Sequence, residues 1–132
     1  MSRYVVSRLV KEMINKRIKI EDSNVLVMGL TFKENCPDLR NTKIIDIIDE
    51  LNQYNMNVSV VDPMCSQDEA YKEHGIELDE PIEDNYDAII LAVGHDHFKK
   101  YGEDGIRKFG KKKHVLYDLK YLLPKDAADI RL

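Results

Sequence analysis

Apolar residues near the start of the chain recur at spacings of three and four, the period of an amphipathic helix. The pattern covers residues 4–16 and comprises Val5, Val6, Leu9, Val10, Met13 and Ile14. The apolar face of this helix either packs on the rest of the chain or lies partly uncovered, as it would if it belonged against another part of a longer protein. Both interpretations are open from the sequence alone.

Short apolar runs then alternate with segments of helical period. The runs with strand character are Val25–Met28, Val58–Val61, Asp87–Val93 and His114–Asp118, and Ile76–Leu78 is a weaker one. The first is a continuous apolar run rather than an alternating one, which is typical of a strand in a sheet that is covered on both faces. These runs predict four main strands and one minor strand.

The segments between the strands predict helices. Isoleucines between residues 44 and 51 mark one that begins near Asn41, a capping box at Ser66 opens a short one that Gly75 ends, and residues 94–109 indicate a loop with short helices. The repeated strand–helix–strand order favours right-handed crossovers and a parallel sheet. The predicted fold class is therefore α/β: a three-layer, Rossmann-like, doubly wound and mainly parallel sheet, preceded by a helix.

The composition describes one ordinary globular domain. At 132 residues, with 43% hydrophobic and 33% charged residues, the chain can bury a single core. A net charge of −4 without a basic arm argues against nucleic-acid binding, and the apolar runs are too short to span a membrane. No signal peptide is visible, so a cytoplasmic location is the default expectation. Cys36 and Cys65 form neither a disulfide framework nor a zinc pattern, and Cys65 is expected to be a buried or half-exposed thiol.

Charged residues gather where the predicted strands end. The segment Gly29–Arg40 follows the first strand and carries Lys33 and Asp38, and Lys120 follows the fourth. In an open parallel sheet, ligands bind beyond the carboxyl ends of the strands, and cations near a helix amino terminus suit a phosphate-bearing ligand. The chain has neither a G-x-G-x-x-G fingerprint nor a P-loop, so it is not predicted to be a dinucleotide-binding domain.

The sequence GLTFKENCPDLRN at residues 29–41 resembles the signature of the C-terminal, UDP-sugar-binding domain of the UDP-glucose/GDP-mannose dehydrogenase family. It is most similar to the bacterial branch of UDP-N-acetylglucosamine and UDP-N-acetylgalactosamine 6-dehydrogenases of polysaccharide biosynthesis. The resemblance covers about residues 20–132. It implies that residues 1–20 are the end of a helix entering from a central, dimer-forming domain absent from this chain, and that residues 21–132 are the UDP-sugar-binding domain.

The resemblance implies roles for five residues. Phe32 and Lys33 are expected to contact a UDP-hexose or UDP-N-acetylhexosamine, together with Lys120, which stands where the family often has arginine and keeps the charge without the planar fork. Arg40, oriented by Asp38, is expected to reach NAD bound on the N-terminal domain of the full enzyme. The alternatives from the residues alone are a solvated lysine beside a core phenylalanine, and a surface ion pair.

Four further features carry weaker predictions. Asp62 is either a ribose-binding carboxylate or the residue that ends a strand in a turn, and the turn is favoured. His95 and His97 form an H-x-H pair without a third ligand, which favours a structural or ligand-adjacent loop over a metal site. Cys36 does not match the family's catalytic cysteine, so no catalytic residue is assigned. The run Lys111–Lys113 is expected in a solvated turn.

The full enzyme implied by the resemblance oxidises the C6 alcohol of a UDP-hexose or UDP-N-acetylhexosamine to a uronic acid, with NAD as the oxidant. It is expected to be a homodimer whose product supplies capsule or surface polysaccharide. This chain would form one wall of the cleft and is expected to be inactive alone. The alternative function is a free-standing nucleotide-binding or regulatory module without catalytic activity.

Overall fold

Five parallel strands form a single sheet with helices on both faces in the computed structural model, which describes all of residues 1–132. In chain order the strands are β1 Asn24–Met28, β2 Asn57–Val61, β3 Tyr86–Leu91, β4 Gly110–Asp118 and β5 Ile130–Arg131. Their order across the sheet is β2-β1-β3-β4-β5, and every neighbouring pair is parallel. The chain moves outward from β1 to β2 and then returns past β1 to β3. The switch point of the sheet therefore lies between the carboxyl ends of β1 and β3.

Helices cover both faces of this sheet. They are α1 Ser2–Asn15, α2 Ile44–Gln53, α3 Gln67–His74, α4 Asp96–Lys99 and α5 Gly102–Arg107. Alternate side chains of a strand point to opposite faces. Val25 and Val27 of β1 therefore join a core with α1 and α2, whereas Leu26 and Met28 join a second core with α4 and α5. This arrangement confirms the predicted three-layer, doubly wound α/β fold. No helix combines the length and the apolar composition needed to cross a membrane.

The first helix packs on this domain. Val5, Val6, Leu9 and Met13 of α1 are at most 1% exposed and belong to the larger core. Of the predicted apolar face, only Ile14 is largely exposed, because it lies on the opposite side of the helix from the other four. The sheet and α2 thus cover the helix, one of the two possibilities left open by the sequence. The origin of residues 1–20 in a preceding domain stays a prediction.

The largest departures from the predicted strand limits are at the end of β3 and at the start of β4. β3 ends at Leu91 rather than at Val93, because the N–H groups of Ala92 and Val93 both donate to the carbonyl oxygen of Met28 and leave the regular ladder. β4 begins at Gly110 and includes Lys111–Lys113, whose exposed side chains are solvated as expected but extended rather than in a turn.

The minor strand predicted at Ile76–Leu78 is wrong as a strand. Only Leu78 pairs with β2, through an isolated bridge to Val60. In contrast, β5 was not predicted, because two residues are too few to show a periodic pattern. Both departures concern short edge segments, where the register is decided by contacts distant in the sequence.

Turn chemistry explains the ends of the middle helices. α2 begins at Ile44, three residues later than expected, because Asn41 has a φ of +62° that a helix does not accommodate. α3 follows its prediction: the Ser66 hydroxyl accepts the N–H of Glu69 over 3.1 Å, and Gly75 ends the helix with a φ of +67°. Serine at this position stabilises the first turn of α3 because it pairs an otherwise free amide.

Candidate functional site

The loop after β1, residues 29–43, starts at the switch point of the sheet. Gly29 begins it with a φ of +110°, and a Cβ at this position would meet the Cβ of Val93 at 2.5 Å. The Phe32 N–H donates to the carbonyl oxygen of Asp38 over 2.7 Å, which closes the loop on itself. The chain leaves β1 through a tight turn that only glycine can make here, and the loop that follows is closed by its own backbone.

Phe32 and Lys33 form the outer tip of this loop. The Phe32 side chain is 53% exposed and Lys33 is exposed as well, so Phe32 is not a core residue. The Thr31 hydroxyl donates to the carbonyl oxygen of Lys33 over 3.1 Å and fixes the backbone behind the tip. An aromatic face and an ammonium group are thus presented to solvent by neighbouring residues.

Asp38 and Arg40 lie farther along the same loop. The Arg40 Nε and backbone N–H both donate to Asp38 Oδ1, over 3.1 and 2.9 Å. The hydrogen bond from the Arg40 side chain lowers the pKa of Asp38, and Asp38 raises the pKa of Arg40. The Arg40 side chain remains 77% exposed, beside an open cavity of about 470 Å³ that Glu69, Lys72 and Glu73 of α3 also line. The pair is a solvated surface ion pair with a guanidinium that stays accessible to a further partner.

Lys120 follows β4 and is exposed. The buried carboxylate of Asp118 holds its loop by accepting the N–H groups of Lys120, Leu122 and Leu123 over 3.1, 3.0 and 2.9 Å. A Cβ placed on Gly94 would lie 3.8 Å from Lys120 Cβ, so the loops after β3 and β4 are neighbours. Two strand spacings, roughly 10 Å, separate the ends of β1 and β4. The loop-holding role of Asp118 was not predicted, although an acidic residue directly at a strand end was a visible signal.

A buried carboxylate–imidazole pair lies beneath the β1 loop. The side chains of Asp62 and His95 are 0% exposed, and His95 Nε2 lies 3.0 Å from Asp62 Oδ2. Asp62 Oδ2 also accepts the N–H groups of Leu30 and Thr31 over 2.6 and 3.0 Å, and Oδ1 accepts that of Met64 over 2.8 Å. The bond to Met64 closes the turn predicted at the end of β2. A carboxylate that binds ribose must be accessible to it. The Asp62 carboxylate is instead enclosed and fully hydrogen-bonded within the protein.

Hydrogen bonding keeps Asp62 ionised in this buried position. Burial by itself would raise the pKa of the carboxyl group, because it removes water from the charged form. The hydrogen bonds from His95, Leu30, Met64 and Thr31 outweigh burial, so the pKa of Asp62 lies below its ordinary value of 3.8. Asp62 is therefore a buried anion that organises the surrounding backbone.

The two histidines of the H-x-H pair have different surroundings. His95 Nδ1 lies 2.9 Å from the backbone nitrogen of Asn35, so both ring nitrogens of His95 are engaged within the protein. His97 packs edge-on against Tyr101, with ring centroids 5.8 Å apart. His95 is thus a structural residue of its loop, one of the two roles that the sequence favoured over a metal site. The contacts of His95 with Asn35 and Thr31 were not predicted, because they join residues about sixty positions apart.

Both cysteines are free and half-buried. Burial, with the nearby charges of Asp62 and Glu69, raises the pKa of Cys65 to about 11. The Cys65 thiol therefore stays protonated at neutral pH, which makes it a poor nucleophile. Cys36 lies within the β1 loop.

Charge separates two surfaces at the carboxyl edge of the sheet. The exposed cations Lys33 and Lys120 stand on the loops after β1 and β4. A cavity of about 290 Å³ beside Asp62 is lined by Asp79 and Glu80, whose carboxylates disfavour a phosphate. An anionic ligand at this edge would therefore meet the lysine-bearing loops rather than the acidic cavity.

Comparison with known proteins connects this edge to a family. Residues 26–125 match the UDP-glucose/GDP-mannose dehydrogenase family, UDP binding domain. The chain is 56% identical over 133 residues to UDP-N-acetyl-D-glucosamine 6-dehydrogenase from Pseudomonas aeruginosa and 53% identical to that from Salmonella typhi. Each match covers 100% of this chain but only 32% and 31% of the relatives. The chain thus spans about a third of the length of the curated relatives it matches.

A solved structure carries the same fold. NDP-N-acetyl-D-galactosaminuronic acid dehydrogenase from Methanosarcina mazei Go1 superposes with a TM-score of 0.81 at 22% identity, over 96% of this chain and 26% of that chain. The matched residues 26–125 contain the last three residues of β1, the whole of β2, β3 and β4, and both lysine-bearing loops. On this sequence match, the chain belongs to the UDP-glucose/GDP-mannose dehydrogenase family and is its C-terminal, UDP-binding domain.

Proposed function

We propose that this chain forms the nucleotide-sugar wall of an NAD-dependent dehydrogenase, which oxidises the C6 alcohol of a UDP-N-acetylhexosamine or UDP-hexose to a uronic acid. The observation that carries the proposal is the family match over residues 26–125, which includes the loop with Phe32 and Lys33. The names of the relatives from Pseudomonas aeruginosa and Salmonella typhi favour the N-acetylated substrate. The product is proposed to supply surface polysaccharide synthesis from the cytoplasm, in a homodimeric full-length enzyme.

The proposed substrate contacts follow from charge and exposure. Lys33 and Lys120 supply positive charge on two loops at the carboxyl edge, about 10 Å apart across the sheet. That span suits an extended nucleotide sugar, whose pyrophosphate attracts both ammonium groups. The exposed ring of Phe32 offers a flat apolar surface on which a uracil or sugar ring can pack. These three residues bind and orient the substrate without taking part in bond breaking.

The proposed cofactor contact is Arg40. NAD accepts the hydride in the full-length enzyme when it is bound there. Arg40 suits a contact to NAD because its guanidinium is 77% exposed and is oriented by Asp38 through Nε. Arg40 and Asp38 lie on the side of the loop that faces α3, away from Lys120. One loop would therefore serve both ligands, with the substrate at its tip and the cofactor on its flank.

The proposed function predicts that catalysis requires the rest of the enzyme. We expect no NADH formation by the purified chain with UDP-N-acetylglucosamine, because the chain contains no dinucleotide fingerprint and no assigned catalytic residue. We expect activity when this chain replaces the corresponding C-terminal third of the Pseudomonas aeruginosa relative, and NADH absorbance measures both. NADH formation by the chain alone would contradict the prediction, as would a folded, NAD-binding chimera without activity.

Lys33→Ala is expected to weaken UDP binding by the 132-residue chain about tenfold, since it removes a charge-assisted contact to phosphate. The measurement is an NMR titration of labelled chain with UDP, UDP-N-acetylglucosamine and NAD. The two UDP compounds should shift the amides of Leu30–Arg40 and Lys120, and NAD should shift them little. Lys112→Ala is the matched control, because Lys112 is also exposed but lies in the amino-terminal part of β4. Equal effects of the two variants would argue against a specific site.

Arg40→Ala is expected to raise the KM for NAD about tenfold in the full-length enzyme, because one charged contact is lost. The KM for the UDP-sugar should change less than threefold, since Arg40 is assigned to the other ligand. Steady-state kinetics with each ligand varied in turn separate the two constants. A rise in the UDP-sugar KM alone would move Arg40 to the substrate side and remove the assigned cofactor contact.

A second candidate is a free-standing nucleotide-binding module. The observation in its favour is α1, whose apolar residues are buried within this domain and need no further cover. Both enzyme relatives, however, match 100% of this chain, so a segment similar in sequence to α1 also occurs within full-length enzymes. The chimera described above separates the two functions, because an independent module would not restore activity.

A further inference from the structure

The buried pair of Asp62 and His95 is not used by the proposed ligand contacts, although it joins three loops at the switch point. Asp62 follows β2, His95 follows β3, and their partners Thr31 and Asn35 lie in the loop after β1. Burying a charged carboxylate beside an imidazole is costly unless every polar atom finds a partner. Here the partners are present, which makes the pair a rigid connection between neighbouring loops.

The hydrogen bonds of His95 define a single tautomer. The backbone N–H of Asn35 can only donate, so His95 Nδ1, at 2.9 Å, must accept with a free lone pair. In a neutral imidazole the proton then resides on Nε2, which lies 3.0 Å from Asp62 Oδ2 and 3.1 Å from Thr31 Oγ1. The Thr31 hydroxyl donates to Lys33 O, so its oxygen is free to accept from the imidazole. Each contact therefore has a fixed direction.

These contacts bracket the tip of the β1 loop. Thr31 precedes Phe32 and Lys33 and is bonded to His95 Nε2, and Asn35 follows them and is bonded to His95 Nδ1. Asn35 has a φ of +57° and its side-chain oxygen accepts the N–H of Asp96, which ties the same turn to the loop after β3. Phe32, Lys33 and the neighbouring Glu34, all exposed, thus lie between two anchors that share one imidazole.

We propose that His95 is a positioning residue of the nucleotide-sugar site: its Nδ1 holds the Asn35 turn, so that Phe32 and Lys33 are presented in one conformation before the ligand binds. The inference rests on the proposed function, since it assigns the tip to UDP. A preorganised loop binds more tightly because less conformational entropy is lost on binding. His95 touches neither ligand and acts through the backbone of the loop.

Two substitutions separate the two nitrogen atoms of His95. In His95→Gln, the side-chain amide nitrogen takes the place of Nε2 and can donate to Asp62, but nothing accepts the N–H of Asn35. In His95→Asn, the side-chain oxygen takes the place of Nδ1 and can accept from Asn35, but nothing donates to Asp62. His97→Gln is the control, because His97 is two residues away and packs against Tyr101 rather than against the β1 loop.

The expected results differ between the variants. His95→Gln should weaken UDP binding about tenfold, the loss expected for one hydrogen bond that orders the loop. Amide hydrogen exchange at Asn35 should speed up about tenfold, while exchange at Val27 within β1 stays unchanged. His95→Asn should lower the melting temperature more than His95→Gln does, yet keep UDP binding within threefold of the original chain. His97→Gln should leave both properties unchanged.

Nitrogen-15 NMR of the histidine rings provides a measurement that needs no ligand. The original chain should show a protonated Nε2 and an unprotonated Nδ1 at His95. The inference is overturned by a protonated Nδ1, by unchanged Asn35 exchange in His95→Gln, or by UDP affinities that follow melting temperature across all variants. Absence of any UDP response in the original chain overturns the proposed function instead, and with it the assignment of the tip to UDP. The two failures are therefore distinguishable.

Discussion

Gly29→Ala is expected to lower the free energy of unfolding by about 3 kcal/mol or more. The added Cβ would lie 2.5 Å from Val93 Cβ and 2.8 Å from the Val93 backbone nitrogen, so the segments that directly follow β1 and β3 would have to separate. Residue 29 also has a φ of +110°, which strains any side chain. Urea unfolding followed by circular dichroism measures the change. The separation would also disturb the β1 loop, so UDP binding should fall with stability.

Gly75→Ala provides the matched control for Gly29. Gly75 also has a positive φ, +67°, but a Cβ there would meet nothing within 4 Å. We expect a loss of about 1 kcal/mol, the strain of a left-handed residue without a clash. Comparable losses of unfolding free energy in the two variants would mean that the ends of β1 and β3 are not closely packed in solution.

Asp62→Ala is expected to lower the free energy of unfolding by about 3–5 kcal/mol, because it leaves a buried cluster of donors without their acceptor. The N–H groups of Leu30, Thr31 and Met64 and the Nε2 of His95 all depend on this carboxylate. Asp62→Asn keeps one oxygen and the shape of the side chain, so it should lose about half as much. Urea unfolding at neutral pH measures both. A loss below about 1 kcal/mol for Asp62→Ala would contradict the buried network.

The pH dependence of the stability that Asp62 contributes follows from the direction of its pKa shift. The folded-state pKa of Asp62 is lowered, so its ionised form contributes stability that is complete above the ordinary value of 3.8. That contribution is lost as the pH falls through the lower, folded-state pKa. The difference in stability between the original chain and Asp62→Asn should therefore narrow below about pH 4 and be constant near neutrality. A difference that narrows between pH 6 and 8 would indicate a group other than Asp62.

Periodic patterns predicted the main elements because they reflect local geometry. The three- and four-residue spacing of α1, the apolar runs of β1 and β2 and the cap at Ser66 are properties of neighbouring residues, and the structure has each of them. The pattern was misleading where contacts distant in the sequence decide strand pairing. It predicted a strand at Ile76–Leu78, but only Leu78 forms a bridge. The two-residue strand β5 exists only because β4 pairs with it, so no local pattern marks it.

The residues of the candidate site also fall into two groups, those that the sequence identified and those that only the structure revealed. Its exposed residues, among them Phe32, Lys33 and Lys120, were identifiable because their chemistry is carried by a short segment that resembles a family. The residues that hold them were not identified: Asp118 gathers three amides, and His95 joins loops after separate strands. Such partners are up to 64 positions apart, and hydrogen-bond direction depends on atomic placement rather than on spacing.

By itself the sequence determined the α/β class, the parallel order of strands and helices, and the location of cations after β1 and β4, because periodicity and turn residues act over a few positions. The resemblance to the family followed from one segment at residues 29–41. Only the tertiary structure decided that α1 packs on this domain and that Asp62 is a buried anchor. It also decided that His95 contacts both Asp62 and the backbone of the β1 loop. Each of these depends on bringing together strands whose residues are distant in the chain, where burial and direction decide which polar groups pair.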